Sequence, residues 1–305
     1  MHGRSLNPRI LAAIVLLFAG DALLPDRANG GSGPAIGRIQ LVESNAASDR
    51  VNTADIDPAL LAKLDRAAAT YKQLAGADIA SAVANVDQML AALEANDVQT
   101  ARRAWIDARA AYDRCKVLTI KFPYLAGGID PRLNSKVGFR SIEAKLFAPS
   151  APLPLAESQA LSDKVHTFQR VFAAEPIYAH GVMAGIGYRT RELAARLEKE
   201  PSVDKTKGGP SSIGGTALRD MQNEVEGIEI AWNTIFSTAV REKNGGVADR
   251  VETEFAEVRH LLSVGSGDQL DIQTLATKSQ VLADSISDAV LVLGWKPQRP
   301  EEAED

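Results

Sequence analysis

From Asp57 almost to the end of the chain, apolar residues recur every three or four positions. That is the spacing of one buried stripe along a helix. Asp57-Pro58 reads as an N-cap followed by proline in the first turn. Leu60, Leu61, Leu64, Ala68, Tyr71 and Leu74 follow, and Gly76 is expected to end that helix. A second helix carries Ile79, Val83, Val86, Leu90 and Leu93, up to the break at Asn96-Asp97. A third carries Val98, Ala101, Trp105, Ala108, Tyr112, Cys115 and Phe122. The glycines and prolines of 123–134 predict a loop, and Ser135 to Phe147 a shorter helix with Ile142 and Leu146 inward.

Residues 148–154 read as another loop, then Ala156 to Glu175 as a helix with Leu161, Val165, Phe168 and Phe172. Pro176 is expected to start a helix through Leu197, and 201–215 forms a polar loop. One long helix is predicted from Thr216 to Lys243. Gly245-Gly246 punctuates, and two helices built on Val251 to Leu262 and on Leu275 to Leu293 complete the set. Alternation of the kind that marks strands does not occur. The pattern gives an all-α, up-and-down bundle of about eight or nine helices.

Composition narrows this reading. Hydrophobic residues make up 45% and charged residues 24%, a balance that supports a packed core over most of the 305 residues. The net charge of -5 argues against nucleic acid as a partner, since phosphate binding needs a concentrated basic surface. The single cysteine excludes an intrachain disulfide and a multi-cysteine metal site. Cys115 falls on an apolar helix face beside Trp105 and Tyr112, which predicts core packing.

The first residues predict export. Arg4 and Arg9 precede the apolar run Ile10 to Ala19, which breaks at Gly20-Asp21 and is too short to span a bilayer. Residues 1–22 are therefore expected to be a signal peptide, with cleavage between Ala22 and Gly30. Leu17-Phe18-Ala19-Gly20 looks like the start of a lipoprotein signal, but Asp21 stands where the acylated cysteine would follow, so no lipid anchor is expected. Residues 23–54 read as a flexible tether, 55–296 as the helical domain and 297–305 as an acidic tail. The expected location is the periplasm or the exterior.

Standard catalytic signatures are missing from the sequence. It contains neither a phosphate-binding glycine loop with its lysine nor HExxH. His166 and His260 sit singly on helices and read as surface or satisfied histidines. His180 precedes a glycine-rich stretch where a backbone can approach a ligand.

Three segments in order resemble the imelysin-like family, which includes imelysin peptidases and the periplasmic iron-uptake component EfeO. Trp105-Ile106-Asp107-Ala108-Arg109-Ala110-Ala111-Tyr112-Asp113-Arg114 resembles the family's W-x-x-A-R-x-A-Y helix. Gly128-Ile129-Asp130-Pro131 and Gly138-Phe139-Arg140-Ser141-Ile142-Glu143 resemble its G-x-D-P loop and G-x-H-x-x-E signature. Asp220 to Gly227 is similar to a late D-x-x-x-N-x-x-G helix. The similarity runs roughly from 55 to 295. It implies a helical fold of two packed bundles, export, and a link to iron.

The signature histidine is Arg140 in this chain, and the late asparagine is Glu224. Arginine has no lone pair and stays protonated, so it cannot ligate a metal. Two readings stay open. Arg140 forms an ion pair with Glu143, Glu224 or Asp130 in place of the metal. Alternatively, Asp130, Glu143, Asp220 and Glu224 keep an altered oxygen site for iron or another divalent or ferric ion. Unrelated surface carboxylates are the bland third case. Trp105, Arg109 and Tyr112 are expected to build the fold around the pocket, and the stripe through Gly227 and Ala231 suggests that another helix comes close. The function implied is that of an exported, non-enzymatic protein of metal-ion uptake, binding metal or docking to a membrane permease or other periplasmic component. An imelysin-like peptidase and a metal-free protein-binding scaffold are the alternatives.

Overall fold

A computed structural model describes residues 56–131, 137–148, 151–199, 216–264 and 271–295. The predicted signal peptide, the tether, the 201–215 loop and the acidic tail lie outside them. Among the described residues there is no strand. The described residues form ten α-helices and one 3₁₀ helix, against the eight or nine helices expected.

The first helix, α1, is Pro58–Glu94, a single rod of 37 residues rather than the two helices expected. The buried stripe Leu64, Ala68, Tyr71, Ala75, Ile79, Val83, Val86, Met89 and Leu93 passes straight through Gly76. Glycine costs about 1 kcal/mol in a helix interior, which burial of this stripe outweighs. A Cβ there would stand 3.7 Å from Phe172, an ordinary contact, so packing does not demand the glycine. The Asp57 carboxylate caps the start by accepting from the Ala59 N–H at 2.9 Å. At the other end Asn96 takes a left-handed φ of 60°, a conformation asparagine tolerates, and Asp97 caps the next helix through the Thr100 N–H.

Helix α2 is Val98–Arg114, shorter than predicted, because the chain tightens into a 3₁₀ helix at Lys116–Lys121. The expected loop at 123 begins as a short helix, α3, Pro123–Ile129, with proline in the first turn, where its missing N–H is not needed. Helix α4 is Gly138–Leu146 and α5 is Leu155–Ala174. Gly138 has φ +76°, and a Cβ there would meet the Ile129 carbonyl oxygen at 2.3 Å, so only glycine fits.

Helix α6, Ala179–Lys199, starts three residues after Pro176. There Asp65 of α1 accepts the Ala179 N–H at 2.9 Å. The long helix predicted from Thr216 to Lys243 is broken at Phe236 into α7, Ala217–Ile235, and α8, Ser237–Lys243. The fully buried Phe236 packs against Trp232 and edge-on to Trp295 at that break. Helix α8 ends at Lys243 as expected, with extended backbone at Asn244, so the break falls just before Gly245-Gly246. These residues form the first turn of α9, Gly245–Val264, where Asn244 Oδ1 accepts from the Val247 N–H. Helix α10 is Ile272–Val292.

Helix α1 packs on α2 and α5, and α10 packs on α6 and α9. Helix α7 lies against α1 and α2 on one side and α6 and α9 on the other. The two groups therefore share α7, and one continuous apolar cluster fills both. A run of aromatic contacts crosses the first group, from Trp105 and Phe139 through Tyr112 to Phe168 and Phe122. Cys115 is fully buried in this core, its Sγ on the Ala111 carbonyl.

Candidate functional site

The end of α2 is crowded by two glycines. A Cβ on Gly227 of α7 would fall 2.1 Å from the Arg114 carbonyl oxygen, and one on Gly185 of α6 would fall 2.0 Å from the Val117 carbonyl oxygen. Both helices thus reach backbone contact with the α2 end and the 3₁₀ turn. That approach brings charged side chains from α2, α3, α4, α6 and α7 into one buried place.

Arg109 lies at its centre and is 3% exposed. Its terminal nitrogens donate to both oxygens of Asp130, at 2.6 and 2.9 Å, and its Nε donates to Asp113 Oδ2 at 3.2 Å. Asp220 Oδ2 lies farther off, 3.7 Å from the same Nε. The guanidinium also stacks over Phe139, 5.4 Å from the ring centre. Trp105 Nε1 donates to the Phe139 carbonyl at 3.2 Å, so the first two motif segments are bonded to each other.

Lys116 is the second buried cation. Its Nζ lies 2.7 Å from Asp113 Oδ1, 3.1 Å from Asp130 Oδ2 and 3.8 Å from Glu224 Oε2. Arg196 of α6 donates to Glu224 Oε2 at 2.7 Å. Arg189, one turn pair earlier on the same helix, donates to the Lys116 carbonyl at 3.1 Å and pairs with Glu192 at 2.5 Å.

The candidate residues from the sequence fall as follows. Asp130, Asp220 and Glu224 join this cluster. Arg140 pairs with Asp130, its Nε 3.3 Å from Oδ1, and among the described residues it has no ion pair with Glu143 or Glu224. Glu143 is buried on α4 at 2% exposure. Trp105 and Tyr112 are core residues. Asp113, Lys116, Arg189 and Arg196 were not among the expected site residues. Asp113 is one turn beyond Arg109 within the first motif segment, and Lys116 one turn beyond Asp113, so their spacing was the available signal. His166 is half-exposed and pairs with Asp87 at 3.0 Å, while His180 stacks on Tyr178.

The electrostatics follow from the pairing. Burial would push Asp130 up, but Arg109 and Lys116 outweigh it and hold the carboxyl well below its usual range. Glu224 is likewise opposed by burial and is brought down to about 2 by Arg196 and Lys116. Burial works against the charge of Arg109 and of Lys116, yet the surrounding aspartates keep both raised and protonated. Asp220 differs. Burial dominates and the Asp113 charge adds to it, so against the pull of Arg109 its carboxyl rises to about 6. Burial also holds the Tyr112 phenol well above its usual value.

Residues 67–171, from within α1 to within α5, match the family model Peptidase_M75, described as Imelysin. This stretch is imelysin-like. No curated protein matches the chain. The imelysin match contains Trp105, Arg109, Asp130, Arg140 and Glu143 and stops before α7, so the Asp220 to Gly227 segment lies beyond it.

A resident metal ion does not fit these side chains. Asp130 is already forked by Arg109 and touched by Lys116 and Arg140, and Glu224 is held by Arg196. A cation brought among them would face those fixed positive charges in a desolvated interior. Among the described residues, no group of three or more histidine, cysteine, aspartate and glutamate side chains is arranged to hold a metal ion.

Proposed function

We propose that this is an exported imelysin-like protein that serves metal-ion uptake, above all of iron, by docking to a transport partner such as a membrane permease. In this reading it holds no metal among its buried carboxylates and performs no hydrolysis. The observation that carries the reading is the pairing of Asp130 with three cations of the chain itself, Arg109, Lys116 and Arg140.

Hydrolysis needs an activated water or a nucleophile with a base beside it. Arg109 and Lys116 stay protonated, so neither can take up a proton. The buried phenol of Tyr112 is held in its neutral form. Asp113 and Asp130 spend their oxygens on the same cations. Export is supported by the predicted signal peptide, and no described helix is long and apolar enough to cross a membrane.

Deleting the gene in its native host should lower iron accumulation under iron limitation, and protein recovered from the exterior fraction should carry well under one iron per chain. Unchanged accumulation would overturn the uptake role. Chelator-sensitive cleavage of a peptide substrate by the purified mature chain would favour the peptidase reading instead.

A further inference from the structure

Arg109 Nε carries a single N–H, and two carboxylates lie near it. Asp113 Oδ2, one turn along the same helix, accepts from it at 3.2 Å. Asp220 Oδ2 of α7 lies 3.7 Å from the same nitrogen. The first is a long hydrogen bond and the second a charge contact only. The terminal nitrogens of this guanidinium are anchored on Asp130, so Nε is the donor that the other two carboxylates compete for.

The competitors differ in what else answers them. Asp113 has a second cation, since its Oδ1 lies 2.7 Å from Lys116 Nζ. Among the described residues, Arg109 is the only ion-pair partner of Asp220. Asp113 can therefore release Arg109 without becoming an uncompensated buried charge, whereas an ionised Asp220 has nothing else to turn to. The Asp220 side chain is 12% exposed, so its proton can pass to water.

We infer that Arg109 Nε is an exchangeable clasp: it serves Asp113 while Asp220 is protonated and moves to Asp220 when that carboxyl ionises, which fastens α2 to α7. In the first arrangement the bond closes one turn within α2. In the second it crosses to the helix that both groups of helices share, and Lys116 alone answers Asp113.

The other charges around Asp220 hold their state through the exchange. Despite burial, Asp130 at the end of α3 is kept ionised by Arg109, Lys116 and Arg140 of α4. Despite burial, Glu224 on the next turn of α7 is kept ionised by Arg196 of α6, by Lys116 of the 3₁₀ helix and by Arg189 of α6. Groups on α1, α8 and α9 are paired elsewhere, Asp78 with Arg114, Arg241 with Glu252 and Arg259 with Glu229. Asp220 changes charge near pH 6, because burial and then the Asp113 charge raise its carboxyl against the pull of Arg109.

The test is a set of crystal structures of the mature chain at about pH 4.5 and about pH 7.5, with Asp220→Asn at the higher pH. In the natural chain, Arg109 Nε should lie within about 3.2 Å of Asp113 at the lower pH and of Asp220 at the higher. In Asp220→Asn it should stay on Asp113. The same partner at both pH values in the natural chain would overturn the inference, as would a move away from Asp113 in Asp220→Asn. In solution, the Arg109 Nε–H nuclear magnetic resonance signal of the natural chain should shift in one step near pH 6, and Asp220→Asn should lack that step. Absence of the step in the natural chain would also overturn it. The clasp involves neither metal nor uptake partner, so its failure would leave the proposed function standing.

Discussion

Arg109 grips Asp130 with both of its terminal nitrogens, at 2.6 and 2.9 Å, and so ties α2 to the chain just beyond α3. The same guanidinium holds Asp113. Removing one partner of a buried ion pair leaves the other uncompensated, which costs about 3–5 kcal/mol. Arg109→Met should be destabilised by that amount in urea denaturation. Arg109→Lys should recover little of it, because an ammonium cannot make the two parallel bonds. A loss within about 0.5 kcal/mol for Arg109→Met would show that the cluster is solvated.

Asp220 sets a pH dependence of its own. Its carboxyl titrates at about 6 in the fold, against about 4 in the unfolded chain. Between those values the fold binds the proton more tightly, so this residue makes stability fall as pH rises from about 4 to about 6. Asp220→Asn should remove that fall. Relative to the natural chain it should gain about 3 kcal/mol between pH 4 and pH 7.5. Parallel stability profiles for the two proteins would contradict the assignment. Glu224, held at about 2, acts in the opposite direction: its contribution is present above about 4 and is lost as pH falls toward 2.

The helical class was legible because the apolar stripe is. Leu64 through Leu93 needs no tertiary information to be read as a buried face. Gly76 was misread as a stop because a local rule weighs glycine by its intrinsic cost, whereas burial on either side decided the outcome; the break read at Gly245-Gly246 is present, one residue earlier at Asn244. Phe236 shows the opposite limit, since the contacts with Trp232 and Trp295 that accompany the break span too much sequence to be seen. In the site, Asp130, Asp220, Glu224 and Arg140 were found by motif position. Lys116 was not, since lysines are ordinarily exposed and this one is buried where α7 meets the end of α2 at Gly227 and α6 meets the 3₁₀ turn at Gly185.

Trp105 is buried to 1% exposure, meets Phe139 and Phe147 edge-on and donates to the Phe139 carbonyl. Trp105→Ala should cost about 3–5 kcal/mol. Because it detaches α2 from α4, the loss should also appear as faster amide exchange in α4. Unchanged exchange there would mean that the contact is not what fixes α4.

Gly227→Ala places a methyl group 2.1 Å from the Arg114 carbonyl oxygen, and backbone cannot rotate away as a side chain can. A cost of about 1–3 kcal/mol is expected from thermal denaturation, as for other overpacked cores. Gly181→Ala, where a Cβ meets nothing within 4 Å, is the control and should be neutral or slightly stabilising. Equal effects at the two positions would contradict the close approach of α7 to α2.

The central claim is that the chain's own cations, led by Arg109 and Lys116, occupy the carboxylates that could otherwise hold a metal. Calorimetric titration of the mature natural chain with Fe³⁺ and with Zn²⁺ at neutral pH tests it most directly. The account predicts no stoichiometric binding by either ion. Tight binding of one ion per chain that disappears in Asp130→Asn or Glu143→Ala would contradict it and restore the altered carboxylate site.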